Sequence, residues 1–414
     1  MVSSSKVFLL LCAGVLLGAC EEQPTSDVAD LNDEPVAVLP AEVTPDLQLA
    51  SASTSFGDPL SRLTAEEQEL FAEGLEEFSE EEEVDEGLGP VFNEAGCIVC
   101  HTDPVGGTTG RLETRFGRRG NSGRFDPLEN LGGSLLQDQG IGAVDGGFTY
   151  VAEKVPRGAN VVASRLTTPL FGLGLVDAVP DAELIGLARA QRNTRTPGIA
   201  NMVTDLATGE TRVGRFGWKA QVATLQTFSG DAYLNEMGIT NPIFPNESCP
   251  QGNCAALEHN PMPTLNDSGA GVEAFKNFMT LLAPPPRGSG RSREGEELFQ
   301  STGCASCHTP KLATGRSPIA ALDRKVFEPF SDFLLHDMGR LGDGIVQGNA
   351  TGRLMRTAPL WGLRVRPVFL HDGRATTVTA AILAHDGQGR RARERFAELR
   401  SDKRRTLLAY LNSL

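Results

Sequence analysis

Two pentapeptides carry residue types whose spacing can do chemistry: Cys97-Ile98-Val99-Cys100-His101 and Cys304-Ala305-Ser306-Cys307-His308. Two thiols held two residues apart on a helical turn can each add to a vinyl group of one haem. The next residue, His, is then placed under the iron as proximal ligand. The spacing therefore predicts two covalently bound haem c groups, attached through Cys97, Cys100, Cys304 and Cys307, with iron held by His101 and His308. A thioredoxin-type dithiol needs no His after its second Cys, and a zinc site needs four ligands close together. Both explain the doubled motif less well.

The opposite face of each iron decides between catalysis and electron carriage. Four further histidines are available, His259, His336, His371 and His385, with Met202, Met237, Met262, Met279, Met338 and Met355 as thioether candidates. His336 and His371 each precede an Asp (Asp337, Asp372), which can orient an imidazole or simply hold a turn. Arg364 and Arg374 are candidates to neutralise haem propionates, and Trp218 and Trp361 to lie between the haems. For each of these, ordinary packing is the competing reading.

The elements that must position these groups are short. Apolar residues make up 40% of the 414, aromatics only 6%, and there are 46 Gly and 25 Pro. This predicts a mainly α fold: two cytochrome-c-like helical lobes, each around one covalently bound haem, with long Gly/Pro-rich loops. Residues 1–20 read as a signal peptide, with Lys6, the apolar run Val7 to Leu17 and a close at Leu17-Gly18-Ala19-Cys20. That ending resembles a bacterial lipoprotein signal and predicts lipidation of Cys20. By the same resemblance, Glu21 directs sorting to the outer membrane, facing the periplasm of the bacterial cell envelope.

Residues 21–62 are acidic, rich in Pro and Ser and without apolar period, a flexible tether. The capping box Thr64-Ala65-Glu66-Glu67 then opens a helix carrying Leu70, Phe71, Leu75 and Phe78. Residues 63–283 are read as an N-terminal haem domain, 284–293 as a linker begun by Pro284-Pro285-Pro286, and 294–414 as a C-terminal cytochrome c haem domain. Thr168-Pro169-Leu170-Phe171-Gly172-Leu173 and Ala358-Pro359-Leu360-Trp361-Gly362-Leu363 each follow a haem motif, as in a duplicated unit. Cys249 and Cys254, the even pair left over, predict a disulfide in an exported chain.

Net charge is −15, which argues against nucleic acid as partner. The acid concentrates at Glu66 to Glu86, a solvated helix face or a docking patch for a basic electron-transfer protein.

Phe369-Leu370-His371-Asp372-Gly373-Arg374-Ala375-Thr376-Thr377 resembles a segment of the bacterial di-haem cytochrome c peroxidases. With Gly87 to Asn93, Arg215 to Ala220, Asp332 to Gly339 and Arg356 to Leu363, the chain more closely resembles the di-haem oxidoreductase family of suggested peroxidases, over roughly 64–414. In the peroxidases a Met ligand to the C-terminal haem lies fourteen residues after the His of this segment; here that place is His385. The resemblance thus implies a bis-His haem (His308, His385) that relays electrons. The element Phe-Trp-Asp-Gly-Arg that the peroxidases carry is missing from Arg165 to Leu175, and no recognisable distal acid stands in its place. The haem at His101 is therefore expected to keep an open face, the seat of substrate chemistry, unless His259 or a methionine closes it.

The function expected is an exported di-haem oxidoreductase, peroxidase-like. A small donor protein, a cytochrome c or cupredoxin, would supply electrons, and peroxide or dioxygen would be the substrate. A non-enzymatic electron-transfer cytochrome and a haem oxygenase acting on an organic or protein substrate are the alternatives.

Overall fold

The computed structural model describes residues 47–50, 55–102, 104–263 and 265–414, all within one compact unit. The signal peptide, Cys20 and most of the tether lie outside the described residues. Gln48–Leu49 pairs in parallel with Lys325–Val326, and Leu60 and Leu63 are buried. Parts of the expected tether are therefore docked on the body, Gln48–Leu49 by backbone pairing, with Leu49 itself exposed, and Leu60 by burial of its side chain.

Ten α-helices are described: α1 (Ala65–Ser79), α2 (Cys97–Cys100), α3 (Leu173–Asp177), α4 (Asp181–Gln191), α5 (Leu225–Met237), α6 (Ala270–Leu281), α7 (Arg293–Thr302), α8 (Val378–Ala384), α9 (Arg390–Glu398) and α10 (Ser401–Leu411). The capping box forms as spelled: Thr64 Oγ1 accepts from Glu67 N, and Glu67 Oε2 accepts from Thr64 N. From that start Phe71 and Phe78 fall on one face and pack on Phe278 of α6, with ring centroids 5.4 and 4.6 Å apart. Between them a Cβ on Gly74 would stand 2.5 Å from the Ala274 carbonyl oxygen, so only glycine lets α1 and α6 approach this closely.

The mainly α expectation needs correction. Helices account for 35% of the structure, and many short strands join them. The longest, Leu112–Arg119, pairs antiparallel with Val161–Leu166 and also with Phe125–Asp126 and Leu135–Leu136, giving a four-stranded sheet. Its sequence, Leu-Glu-Thr-Arg-Phe-Gly-Arg-Arg, hides the strand because charged residues occupy the cavity-facing positions where a core strand would show apolar ones.

Two apolar cores follow. The larger gathers α1, α3, α5 and α6, and residues from beyond the expected linker (Leu312, Leu322, Phe327, Phe333, Leu334 and Trp361) also enter it. The smaller is built from Phe299, Phe330, Leu363, Phe396, Leu407, Tyr410, Leu411 and Leu414. The two echoing hexapeptides meet in space. Gly172 (φ 65°) and Gly362 (φ 69°) each open a helical turn in the left-handed region, and a Cβ on Gly172 would lie 2.8 Å from the Trp361 ring. The expected linker is held down in its first half, where Arg364 donates to Pro286 O and Gly288 N to Ser413 O.

Candidate functional site: two adjoining cavities with one cysteine-histidine motif in each

At the second motif, α7 is capped at its start by Ser292 and stopped by Gly303 in the left-handed region. The chain then makes the single turn Cys304–Ser306, closed by His308 N donating to Cys304 O at 3.0 Å. Cys304, Cys307 and His308 line one cavity, and His385, just past α8, lines it too. His308 Nδ1 lies 3.0 Å from Phe330 O, and His385 Nδ1 lies 2.8 Å from Ala381 O. A carbonyl only accepts, so each Nδ1 carries the proton and each Nε2 keeps its lone pair. Burial, joined by the nearby His385, pushes His308 down to about 4, and burial likewise lowers His385. Both imidazoles are therefore neutral near pH 7, the form that ligates iron.

Two side chains that the sequence did not single out complete this cavity. Arg356 and Arg366 are pushed down to about 10, mainly by burial, and donate only to backbone carbonyls. Among the described residues neither forms an ion pair, the more distant Asp332 offsetting Arg356 only in part, and a buried guanidinium without a close counter-ion is costly. The propionates of a haem would supply that charge. Arg364 instead lies over the Phe56 ring, and Arg374 pairs with Asp372 at the surface; neither lines a cavity.

His336 is buried on the wall of the same cavity. Its Nε2 lies 2.9 Å from Asp332 Oδ2 and its Nδ1 2.7 Å from Gln388 Oε1, while Gln388 Nε2 donates to Pro197 O. His336 thus braces the wall beside Cys307 through Asp332, and its neighbour Asp337 takes no part, pairing with Arg353 instead.

The first motif sits on α2, closed by His101 N donating to Cys97 O. Cys97, Cys100 and His101 line a second cavity. The four cysteines of the two motifs form no disulfide, whereas Cys249 and Cys254 are joined in one. Burial pushes His101 down to about 4, and its Nδ1 has no aligned hydrogen-bond partner. The residues therefore fit a haem in each cavity: paired thiols, a neutral imidazole beside them, and at the second site two uncompensated cations.

The wall of the His101 cavity is polar, and little in the sequence foretells it. Glu113 and Arg115, two apart on a strand, share one face, and Arg165 lies opposite Glu113 on the neighbouring strand. Arg115 grips Glu113 with two hydrogen bonds, Nε to Oε1 at 2.9 Å and Nη2 to Oε2 at 3.1 Å. From α5 come Asp231 and Glu236, and Glu236 Oε2 accepts from Asn93 Nδ2 at 2.8 Å. Burial and the adjoining Glu113 push Glu236 up to about 8. Burial works the same way on Glu113, but Arg115 holds that carboxyl below its usual range. The pair therefore holds one proton near pH 7, on Glu236. Each residue here is unremarkable in the sequence; a two-residue alternation of charge over Glu113–Arg115 was the one available signal.

No second histidine lines this cavity. His259 lies exposed, stacked on Phe148 with centroids 4.5 Å apart. Met237 and Met279 do line it, Met338 and Met355 line the other, and Met202 and Met262 line neither. Trp218 lines both cavities, together with Leu166, Thr167, Thr168, Gly217 and Phe228. Its Nε1 donates to Leu166 O, and its ring meets His371 edge-on at 6.1 Å. Trp361 lines neither and packs in the core on Phe327.

Two adjoining cavities, each with a paired-cysteine and histidine motif, define a di-haem redox protein. Residues 151–414, more than half of the chain, match the family model "Di-haem oxidoreductase, putative peroxidase", and the chain belongs to that family. The match includes the second motif and begins after the first. Among solved structures, hydrazine synthase from Kuenenia stuttgartiensis is 16% identical, covering 98% of this chain and 99% of its own, with a TM-score of 0.37. A variant of the diheme peroxidase BthA from Burkholderia thailandensis is 15% identical over 68% of this chain and 93% of its own, with a TM-score of 0.28. Neither likeness is close enough to bring a residue role to this chain. No curated relative matches it.

Proposed function

We propose that this chain is a c-type di-haem peroxidase: Cys97 and Cys100 would bind one haem with His101 as iron ligand, and Cys304 and Cys307 the other with His308 and His385 as iron ligands. When bound, the two haems would supply one-electron chemistry for the reduction of peroxide to water, with the site of His308 and His385 as the relay from a small donor protein and the site of His101 as the place of reduction.

The observation that carries this reading is the inequality of the cavities. In one, two neutral imidazoles have their Nδ1 protons tied to backbone carbonyls, leaving two Nε2 lone pairs for one iron. In the other, a single imidazole shares the cavity with a carboxylic acid and a carboxylate. Reduction of peroxide to two waters consumes two electrons and two protons. Glu236 is placed to deliver one proton into the cavity, and Glu113, kept charged by Arg115, to hold that proton on Glu236; the second proton and the reprotonation of Glu236 come from solvent. Trp218, in the wall common to both cavities, is the side chain placed to shorten the gap between them.

The experiment is low-temperature electron paramagnetic resonance of the ferric holoprotein from a cytochrome-maturing host. One high-spin and one low-spin signal are expected, and His385→Ala should convert the low-spin signal while sparing the other. Met237 and Met279 favour a second reading, in which a thioether closes the His101 iron and the protein only carries electrons. Two low-spin signals, one of them lost in Met237→Ala or Met279→Ala, would establish that alternative.

A further inference from the structure

The charge around the two cavities is opposite in sign. Residues 65–86, which include α1, hold twelve acidic side chains and no Lys or Arg, and Phe78 of that helix lines the His101 cavity. Residues 386–405, which include α9 and the start of α10, hold eight Lys or Arg against four acids, in a chain of net charge −15.

This basic stretch borders the second cavity. Ala392 and Arg393 line it, and Arg393 Nη1 donates to the His385 carbonyl at 2.9 Å. Arg390, Arg400 and Arg405 are exposed; Arg400 is offset by Asp402, while Arg390 and Arg405 meet no carboxylate among the described residues. Beside them Leu383, on the last turn of α8 before His385, is 46% exposed. An exposed apolar residue within a charged rim, above a redox centre, is the anatomy of a transient electron-transfer interface.

We infer that this α8–α9–α10 face is the docking surface for an acidic electron-donor protein, a small redox protein whose haem or copper edge is ringed by carboxylates. The inference rests on electron entry at the His308/His385 centre. It also reverses the partner that the acidic run at Glu66 to Glu86 suggests: a basic donor would be steered to α1 and the His101 cavity, away from the relay. Steering of this kind raises association rates by about 10- to 1000-fold at low ionic strength.

The test uses the holoprotein and one probe in two charge states: a basic mitochondrial-type cytochrome c, and the same cytochrome with its lysines succinylated. Binding is measured by calorimetry and the electron-transfer rate by stopped flow, at low and physiological salt, where the Debye length is roughly 30 and 8 Å. The succinylated form should reduce the His308/His385 haem, and Arg390→Glu, Arg400→Glu and Arg405→Glu together should cut its affinity and rate at least tenfold at low salt. Glu69→Lys, Glu73→Lys and Glu76→Lys, on the exposed face of α1, should cause no such loss. Unchanged affinity and rate in the arginine triple variant, with its haem spectrum native, would overturn the inference. So would loss of binding to anionic phospholipid vesicles without loss of cytochrome binding, which would make the face a membrane contact. If the triple variant loses the probe but electrons reach the His101 haem first, the docking surface stands and the direction of electron flow falls.

Discussion

Glu236 keeps its proton near pH 7 only because of its company. Burial disfavours its charged form, the Glu113 carboxylate beside it does the same, and Arg115 ensures that Glu113 is the partner that ionises. Its pKa of about 8 leaves it mostly protonated at pH 7, and it loses that proton as pH rises through about 8. Peroxidase activity should therefore be held on the acid side and fall above pH 8. In Glu236→Gln it should drop by about 10²- to 10⁴-fold, the usual range for a lost general acid, and the alkaline limb should disappear. A kcat/KM profile against pH for both proteins checks this; an unchanged alkaline limb in the variant would assign the proton elsewhere. The sequence shows Glu236 as one acid among 53 Asp and Glu, and nothing local separates it from the rest. By contrast His101 and His308 are legible because their chemistry is written in five consecutive residues.

At the scale of elements, legibility follows how local the determinants are. The capping box at Thr64, the turn of α2 and the stop of α7 at Gly303 depend on neighbours within four residues, and each forms as the sequence spells it. The strand Leu112–Arg119 depends on partners from Phe125 to Leu166 and on a polar cavity across from it, so its pattern matches neither helix nor core strand. Close packing of α1 on α6 is likewise a long-range fact, written in Gly74 alone. Gly74→Ala would place a methyl group 2.5 Å from Ala274 O and 2.9 Å from Phe278 N, contacts that backbone cannot relax. Overpacking of this kind costs about 1–3 kcal/mol. Thermal unfolding of the variant should show a lowered Tm even though alanine favours helix; a Tm at or above the parent's would mean that the two helices are not in such close contact.

For the molecule as a whole, membership of the family establishes a di-haem oxidoreductase, while its cellular setting is a matter of proposal. Among the described residues no helix is long and apolar enough to cross a membrane. Attachment by lipid at Cys20 is the proposal that the sequence supports. Metabolic labelling with palmitate should mark the protein, and Cys20→Ala should abolish the label and release the protein from the membrane fraction; labelling that survives the substitution would refute it. The sequence by itself picked out the two cysteine-histidine motifs and the likeness to a di-haem redox class, because the paired thiols and the histidine after them are contiguous in the chain. Only the tertiary structure decided that Trp218 lies between the cavities, that Arg356 and Arg366 are the uncompensated cations, and that Glu113, Arg115 and Glu236 converge beside His101. Their roles arise from burial and mutual charge, which come into being when strands and helices distant in sequence close around a common space.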